Sequence, residues 1–316
     1  MTLHRPSLLP LYRCISCGGT LAPEPLACTA CGRAYATYEG RPVLMDIAPV
    51  PAKHNAVVHS QAVERTGSTR SGLAGLADRF RAATTVRIFA DDNTQIPLLV
   101  DRVKTYLPRP GLVVDVGACE QYYRAQLERL GEVVAMDVSI YGPTDLLADC
   151  HALPFRDGVV DAICAVEVIE HLSRPWVFFA EAARVLKPGG VLFGVAPQYI
   201  GTHGFPYDFF RYTESGLRAL GEQAGLSLAE VWSIGGEWGT LLHWYWSNRS
   251  RENPLRRIPG VSLAYHAWFQ LVAATLDRVD GWTGRGAGPS VKEHNDHVGW
   301  SFVFKKPEAS AAPAAG

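Results

Sequence analysis

The stretch 113–137 limits the possible folds of this chain more than any other part of the sequence. Two apolar runs, 112–114 and 133–136, flank a turn with Gly117 and a polar segment of helical character, and the second run stops at Asp137. Strand, tight turn, helix, strand and terminal carboxylate make a β-α-β unit of the nucleotide-binding type. The turn presents backbone N–H groups, and the carboxylate can accept hydrogen bonds from ribose hydroxyls. The unit therefore predicts a site for an adenosine cofactor.

The α/β alternation continues beyond this unit. Apolar runs predict strands at 144–148, 159–166, 191–196, 228–234 and 300–304. Helical patterns predict helices at 76–89, 93–107, 121–130, 175–186 and 213–224, the second capped by Asn93 and the last by Thr213. Strands that alternate with helices at this spacing predict an α/β fold with a parallel, doubly wound sheet.

Length and composition fit one large domain with a small second one. The chain has 316 residues, of which 47% are hydrophobic and 19% charged, as in a soluble globular protein. Its formal net charge is −1, so no basic field attracts nucleic acid, which is not expected as a partner. Residues 1–10 lack the apolar region of a signal peptide, and no run of about 18 apolar residues predicts a spanning helix. A cytoplasmic protein is the expectation.

Four of the seven cysteines occur in two closely spaced pairs. Cys14 and Cys17 form one Cys-x2-Cys pair, Cys28 and Cys31 form another, and a glycine follows each pair. This spacing is typical of metal knuckles, and four thiolates suit tetrahedral Zn²⁺. A segment this small can hardly bury a core of its own, so the metal would supply its folding free energy. The pattern therefore predicts a structural zinc site rather than a catalytic one, in a reducing compartment.

With Tyr35 and the run 39–44, the segment 11–47 resembles the short zinc ribbon of small methyltransferase-activator proteins. Such ribbons also occur fused to the front of methyltransferase domains. The Gly-Ile-Pro that is usual in them appears here as Gly-Arg-Pro at 40–42. The resemblance implies an N-terminal zinc ribbon and fixes no function by itself.

The segment 93–235 resembles the class I S-adenosylmethionine-dependent methyltransferases of the type 11 branch. Six motifs follow the order and spacing of that family, namely 114–117, Asp137, 148–149 followed by 153–155, Asp161, 167–172 and 184–190. The resemblance implies a Rossmann-like methyltransferase sheet and S-adenosylmethionine as the cofactor.

Together the two resemblances imply a division of the chain. It comprises a zinc-ribbon domain at 1–50, a linker at 51–92, a methyltransferase domain at 93–306 with an aromatic and helical insertion at 238–297 before the last strand, and a disordered tail at 307–316.

The methyltransferase resemblance also implies cofactor contacts at the strand ends. Asp115 and the Gly117 turn are expected at the methionine end, Asp137 at the ribose diol and Asp149 at the adenine amino group. The alternative is that these carboxylates are solvated strand ends. The predicted cofactor-binding residues are Asp115, Gly117, Ala118, Cys119, Asp137, Val138, Asp149, Cys150, His151 and Glu167.

The turn departs from the family pattern at two positions. The family usually carries glycine where this chain has Cys119 and Gln121, and only Gly117 remains. If position 119 requires a positive φ, a cysteine there costs about 1–2 kcal/mol. The alternatives are weakened cofactor binding, a protein without activity, and a cysteine tolerated as a packing residue.

Two segments supply candidate catalytic residues. His171 lies in the 167–172 run, and a histidine there can accept a proton from a substrate hydroxyl. A loop beginning at His203 resembles the His-x-x-Pro-x-Asp-x-x-Arg-Tyr-Thr loop of a subset of the type 11 branch. There His203 with Asp208 would form an oriented base, and Arg211 would hold an anionic or sugar group. The alternatives are a His171 with local hydrogen bonds only and an Asp208–Arg211 pair that pins the loop.

The insertion 238–297 leaves the partners open. It carries several tryptophans, basic residues at 249–257 and an apolar stretch at 261–276. Peripheral membrane contact through 249–276, a substrate lid and a homodimer helix are the alternatives for this segment.

These observations predict a methyltransferase that methylates an oxygen of a small-molecule or glycan-type acceptor, with His171 or His203 as the base. Methylation of RNA or protein is one alternative, although the ribbon is nearly charge-balanced, which argues against phosphate binding. A non-catalytic S-adenosylmethionine-binding protein with a degenerate glycine turn is another.

Overall fold

The computed structural model describes residues 3–46, 92–204, 206–234 and 298–308, together with nine helical positions between 264 and 282. The predicted helix 76–89 and most of the linker 51–92, of the insertion 238–297 and of the tail 307–316 lie outside the described residues. Within the described ranges, none of the helices combines the length and the apolar character needed to cross a lipid bilayer.

A nine-stranded sheet carries the fold, and a separate hairpin pairs β1 (Leu21–Pro23) with β2 (Leu26–Cys28). The strand order in the large sheet is β10-β11-β9-β8-β5-β6-β7-β4-β3. These strands are β3 (Thr37–Tyr38), β4 (Arg41–Leu44), β5 (Gly111–Val116), β6 (Gly131–Asp137), β7 (Leu146–Ala148), β8 (Val160–Val166), β9 (Leu186–Pro197), β10 (Ser227–Ile234) and β11 (Gly299–Lys305).

Helices cover both faces of this sheet. They are α1 (Asp92–Lys104), α2 (Arg124–Leu127), α3 (Pro175–Val185) and α4 (Glu214–Gln223), with short 3-10 helices at Pro6–Leu11 and Ile169–His171. Leu99 and Val103 of α1 belong to one core cluster, whereas Phe178 and Phe179 of α3 belong to the other. A sheet with a separate apolar core on each face confirms the doubly wound α/β prediction.

The sheet is parallel from β4 to β9, and β11 runs antiparallel to both of its neighbours. The predicted parallel sheet is thus confirmed for its central strands, and β11 adds two antiparallel pairings at this edge. The reason is topological, because β11 enters the sheet between β10 and β9, after a long connection that carries no parallel crossover signal in the sequence.

Three predicted boundaries also differ from the structure. The helix expected at 121–130 is reduced to α2, because Cys119 and Gln121 have left-handed backbone angles that a helix cannot include. Asn93, the predicted cap, lies inside α1. Strand β9 begins at Leu186, so that the turn-like segment 187–190 is part of a strand. The predicted Thr213 cap is confirmed, since its side chain accepts a hydrogen bond from the Gly216 N–H.

The cysteine-bearing segment joins the large sheet directly. Val43 and Leu44 of β4 pair in parallel register with Leu147 and Ala148 of β7. Tyr12, which is almost fully buried, meets the ring of Phe155 edge-on with the centroids 5.5 Å apart. The N-terminal segment therefore shares both a sheet and a core with the rest of the protein.

Arg41 ties the same segment to the loop that follows β6. Its side chain is buried and donates hydrogen bonds to the carbonyl oxygens of Gly142 at 2.8 Å and Ile140 at 2.9 Å and to the Thr144 hydroxyl at 3.1 Å. The loop in turn accepts a hydrogen bond at the Pro143 carbonyl from the Gln121 side chain. A continuous chain of hydrogen bonds thus links β4 to the turn after β5.

Candidate functional site

The turn after β5 is held against β6 and β8. Gly117 has a φ of +65°, and a Cβ there would stand 2.7 Å from Val168, so that glycine is required both by the backbone and by the close approach. Ala118, which is buried, donates its N–H to the Met136 carbonyl at 3.0 Å. The turn therefore lies at the carboxyl end of the parallel strands, where ligands bind in open α/β sheets.

Asp137 braces this turn from the end of β6. Its Oδ2 accepts the Cys119 N–H at 3.0 Å and its Oδ1 accepts the Ser139 N–H at 2.8 Å. The carboxylate is 5% exposed, and the next residue, Val138, is half-buried. Asp137 thus lies at the end of β6, directly beside the turn after β5, where a carboxylate can meet a ribose diol.

Asp149, the second predicted strand-end carboxylate, is engaged by its own loop. Its Oδ1 accepts the backbone N–H of His151 at 2.9 Å and contacts the His151 ring Nδ1 at 2.7 Å. These hydrogen bonds outweigh the effect of burial and lower the pKa of Asp149. Cys150 between them is buried, which raises the pKa of its thiol. Asp149 is therefore ionised at neutral pH, with Oδ2 free of the contacts that hold Oδ1.

Asp115 is the most deeply buried of the predicted cofactor carboxylates, at 4% exposure. Its pKa is raised to about 7, mainly by burial and also by the charge on Asp137, while a hydrogen bond with the Cys164 thiol opposes both effects. A carboxyl group with a pKa in this range gains from a neighbouring cation, because a positive charge restores the ionised form. The ammonium group of an amino-acid moiety would supply such a charge.

The structure gives the backbone conformation at Cys119 and Gln121, the two positions where the family usually has glycine. Cys119 has a φ of +47° and Gln121 a φ of +56°, so both positions adopt the left-handed conformation that favours glycine. Glu167, the remaining predicted cofactor residue, is also left-handed at +52° and follows the end of β8. Such strain in non-glycine residues is often found at functional sites. The turn keeps its shape despite the substitutions.

Replacing Cys119 with glycine is expected to stabilise the protein, by up to about 1.6 kcal/mol. Relief of the left-handed backbone contributes about 1–2 kcal/mol, and the added freedom of glycine in the unfolded chain takes back about 0.4–1 kcal/mol. Urea denaturation monitored by far-UV circular dichroism measures the difference. The neighbouring substitution Glu120→Gly, at an exposed position outside the left-handed set, is the matched control and is expected to destabilise. Equal effects of both substitutions would contradict the strain argument.

The four paired cysteines meet at one point. The Sγ atoms of Cys14 and Cys31 are 3.7 Å apart, those of Cys17 and Cys28 are 3.5 Å apart, and all four lie within 4.8 Å of one another. A tetrahedral zinc ion with Zn–S bonds of about 2.3 Å separates its sulfurs by about 3.8 Å. The cluster therefore fits the predicted zinc ion in ligand type, number and spacing.

The two predicted catalytic histidines are in contact. The rings of His171 and His203 pack edge-to-face with their centroids 4.8 Å apart. His171 Nδ1 lies 2.6 Å from the Tyr207 carbonyl oxygen, and a Cβ at Gly204, which has a φ of +68°, would stand 2.9 Å from the His171 ring. Both histidines follow strand ends of the parallel sheet, His171 after β8 and His203 after β9.

His203 and Asp208 do not have the geometry predicted for a general base oriented by a carboxylate. Asp208 Oδ2 lies 3.9 Å from His203 Nδ1, which is too long for a hydrogen bond. The carboxylate instead accepts the His203 backbone N–H at 2.8 Å and two hydrogen bonds from Arg211, at 2.6 and 2.8 Å. Arg211 also donates to the carbonyl oxygens of Ile200 and Gly201. The Asp208–Arg211 pair therefore fixes the conformation of the loop. Asp208 does not hydrogen-bond the His203 ring, and the Arg211 guanidinium is bound by Asp208 and by backbone carbonyls.

Glu170 also belongs to the site, although it is absent from the residues predicted from the sequence. Its side chain is completely buried beside both histidines, with Oε1 3.6 Å from Nε2 of each ring. A signal was present, because Glu170 directly precedes His171 and follows Glu167 by one helical turn after a strand. Burial raises the pKa of Glu170 to about 7.

Parts of the chain are similar to known methyltransferases. Residues 114–194 match a family model described as a methyltransferase domain. A protein described as an uncharacterised methyltransferase from Mycobacterium avium (strain 104) is 39% identical over 66 residues, which are 21% of this chain and 24% of the relative. The ubiquinone biosynthesis O-methyltransferase of Xanthomonas axonopodis pv. citri (strain 306) is 30% identical over 147 residues, 40% of this chain and 55% of that protein.

Among solved structures, phosphoethanolamine N-methyltransferase 2 of Haemonchus contortus in complex with S-adenosyl-L-methionine has a TM-score of 0.39 and 12% identity, covering 74% of this chain and 56% of that one. The chain spans between about a quarter and about half of the length of these two curated relatives. The match of 114–194, which covers β5 to β9, confirms the resemblance to the class I methyltransferases.

Proposed function

We propose that this chain, with its class I methyltransferase domain, is an enzyme that transfers the methyl group of S-adenosylmethionine to an oxygen of a small-molecule or glycan-type acceptor. The observation that carries the proposal is the position of Asp137. Its carboxylate stands at the end of β6 and accepts one backbone N–H from the turn after β5 and another from the loop after β6. This arrangement is suited to a ribose diol next to a helix-leading turn.

Each part of the cofactor has a matching group at the strand ends. The ammonium group would lie near Asp115, whose pKa is raised to about 7. A positive charge there would favour the ionised carboxylate. The adenine amino group would donate to Asp149, whose pKa is lowered so that it accepts. S-adenosylmethionine supplies an electrophilic methyl group on sulfonium sulfur, so the protein's task is chiefly to align the acceptor and to assist loss of its proton.

We assign the acceptor side to the contact between His171 and His203. Both rings lie after strands of the same sheet edge as the turn, and the loop that carries His203 is pinned by the Asp208–Arg211 pair. The name of the Xanthomonas relative, an O-methyltransferase, supports oxygen as the methylated atom. The acceptor's hydroxyl would lose its proton beside this pair of histidines.

The alternative of a binding protein with a degenerate turn has less support. Cys119 and Gln121 take the left-handed angles that the turn requires, and Gln121 adds a side-chain hydrogen bond to the Pro143 carbonyl. The two residues thus cost stability, but they keep the backbone conformation of the turn. A zinc ion at the four cysteines belongs to the same proposal, as a structural part of the N-terminal segment. Membrane contact through 249–276 and homodimer formation stay predictions.

Calorimetric titration with S-adenosylhomocysteine tests the cofactor, and transfer of a tritiated methyl group to a panel of phenolic, aliphatic and sugar hydroxyls tests the acceptor. We expect one S-adenosylhomocysteine per chain and label in at least one oxygen acceptor. Label in nitrogen acceptors alone would overturn the choice of oxygen. A folded, zinc-loaded protein that takes up no S-adenosylhomocysteine would overturn the whole proposal.

A further inference from the structure

A fully buried carboxylate lies beside the two histidines. Glu170 has no exposed surface, and within the described part of the chain neither of its side-chain oxygens has a hydrogen bond of ordinary geometry, although against the larger, raising effect of burial the nearby Glu167 side chain lowers its pKa. Leaving an ionised carboxylate buried and unpaired costs several kcal/mol. The backbone around it is well satisfied, since the Glu170 carbonyl accepts the N–H groups of Phe209 and Phe210. The two side-chain oxygens, in contrast, face the histidine rings at distances longer than a hydrogen bond.

The histidine next to it presents a lone pair rather than a proton. The Tyr207 carbonyl oxygen, 2.6 Å from His171 Nδ1, can only accept, so Nδ1 carries the hydrogen. In the neutral ring the lone pair is then on Nε2, 3.6 Å from Glu170 Oε1. Histidines that bind metal ions commonly donate their second ring N–H to a backbone carbonyl in this way.

His203 approaches the same oxygen from the other side. Its Nε2 is also 3.6 Å from Glu170 Oε1, and its Nδ1 lies 3.2 Å from the Gly201 carbonyl oxygen and 3.4 Å from an Arg211 nitrogen. At 3.6 Å neither imidazole makes a hydrogen bond to the carboxylate. The Arg211 guanidinium is bound by Asp208. Two ring nitrogens and a carboxylate oxygen therefore converge, with ligand atoms within 4.8 Å of one another.

We propose that Glu170, His171 and His203 bind a divalent first-row transition-metal ion at the carboxyl end of β8. Two imidazoles and one carboxylate are a ligand set that such ions accept, and three protein ligands leave positions open for water or substrate. A cation between these atoms would neutralise the buried carboxylate and separate the facing lone pairs. The ion is distinct from the zinc at the four cysteines, which involves other residues and only sulfur ligands.

The role of this ion rests on the proposed methyl transfer. An acceptor hydroxyl bound at an open position has a lowered pKa and gives its proton to solvent. The oxygen then forms the bond to the methyl carbon while the carbon–sulfur bond breaks, and S-adenosylhomocysteine leaves as a neutral thioether. His171 and His203 thus act as ligands rather than as free bases, and the acceptor class narrows to hydroxyl compounds that bind a Lewis acid through oxygen.

Titration with Mn²⁺, followed by the electron paramagnetic resonance signal of the free ion, tests the site on the full-length zinc-loaded protein. Mn²⁺ suits nitrogen and oxygen ligands and not a four-thiolate site, so the cysteine cluster stays silent. We expect one Mn²⁺ per chain and at least a tenfold weaker affinity in Glu170→Gln and in His203→Ala. His4→Ala, which removes an exposed histidine outside the cluster, is the matched control and is expected to bind as the wild type does.

Thermal unfolding separates a metal site from a merely structural cluster. Added Mn²⁺ should raise the melting temperature of the wild type and of His4→Ala and leave that of Glu170→Gln unchanged. Equal Mn²⁺ affinity in the wild type and Glu170→Gln would overturn the proposal, as would a wild type that takes up no Mn²⁺, Co²⁺ or Zn²⁺ beyond the single zinc of the cysteines. Calorimetry with S-adenosylhomocysteine on the same samples keeps the two proposals apart, because a protein that binds it without the second metal contradicts only the metal site.

Discussion

Replacing Asp137 with alanine is expected to weaken S-adenosylhomocysteine binding by about 100-fold or more. Two charge-assisted hydrogen bonds to a ribose diol contribute about 1.5–3 kcal/mol each, and each 1.4 kcal/mol corresponds to a factor of about ten. The substitution also removes the acceptor for the Cys119 and Ser139 N–H groups, so the turn after β5 loses its brace. Isothermal titration calorimetry measures the loss directly.

Two further variants show which effect dominates. Asp137→Asn keeps the size of the side chain and one acceptor oxygen, and it is expected to lose about tenfold, since a neutral amide accepts more weakly than a carboxylate. Asp157→Asn changes a carboxylate that is 69% exposed and pairs with Arg184 outside the strand ends, and its affinity should equal that of the wild type. An Asp137→Ala variant that is folded and binds S-adenosylhomocysteine as tightly as the wild type would refute the ribose contact.

The same residue illustrates how far local sequence pattern reaches. The β-α-β pattern, in which the second apolar run stops at a carboxylate, predicted Asp137 at the end of a strand. The structure places Asp137 at the end of β6. The burial of Ile96, Leu99, Val100 and Val103 in α1 also followed from helical spacing. These features are local, so a single stretch of sequence contains the information that specifies them.

What the sequence did not reveal depends on long-range packing. The antiparallel direction of β11 and the pairing of β4 with β7 join segments far apart in the chain, and neither leaves a periodic signal. Arg41 stands where the resemblance leads one to expect the isoleucine of Gly-Ile-Pro. Its role depends on three hydrogen-bond acceptors in residues about a hundred positions away in the chain. The burial of Glu170 is likewise visible only once the loop after β9 has folded over it. Contacts of this kind need the tertiary structure.

Removing the zinc ion from the four cysteines is expected to have the largest effect on stability. Binding of structural zinc contributes about 10–16 kcal/mol in small zinc domains at neutral pH, which exceeds the stability of many whole domains. The double substitution Cys17→Ser with Cys31→Ser changes the two exposed ligands of the cluster and so spares the buried core. We expect the variant to lose the zinc and to expose the edge of β7. We also expect its melting temperature to fall by more than 10 °C, which is several times the effect of a 1 kcal/mol change in a domain of this size.

Loss of the zinc should reach the cofactor site as well, because β4 and Arg41 hold the loop that Gln121 contacts. We expect S-adenosylhomocysteine affinity to fall by about tenfold, the equivalent of about 1.4 kcal/mol. Arg41→Met isolates this path, since it should keep the zinc, measured by atomic absorption, and still weaken binding. Arg33→Met, which removes an arginine that pairs with Asp46 in the same segment, should change neither quantity. Unaltered cofactor affinity in Arg41→Met would show that the N-terminal segment stabilises the sheet without acting on the site.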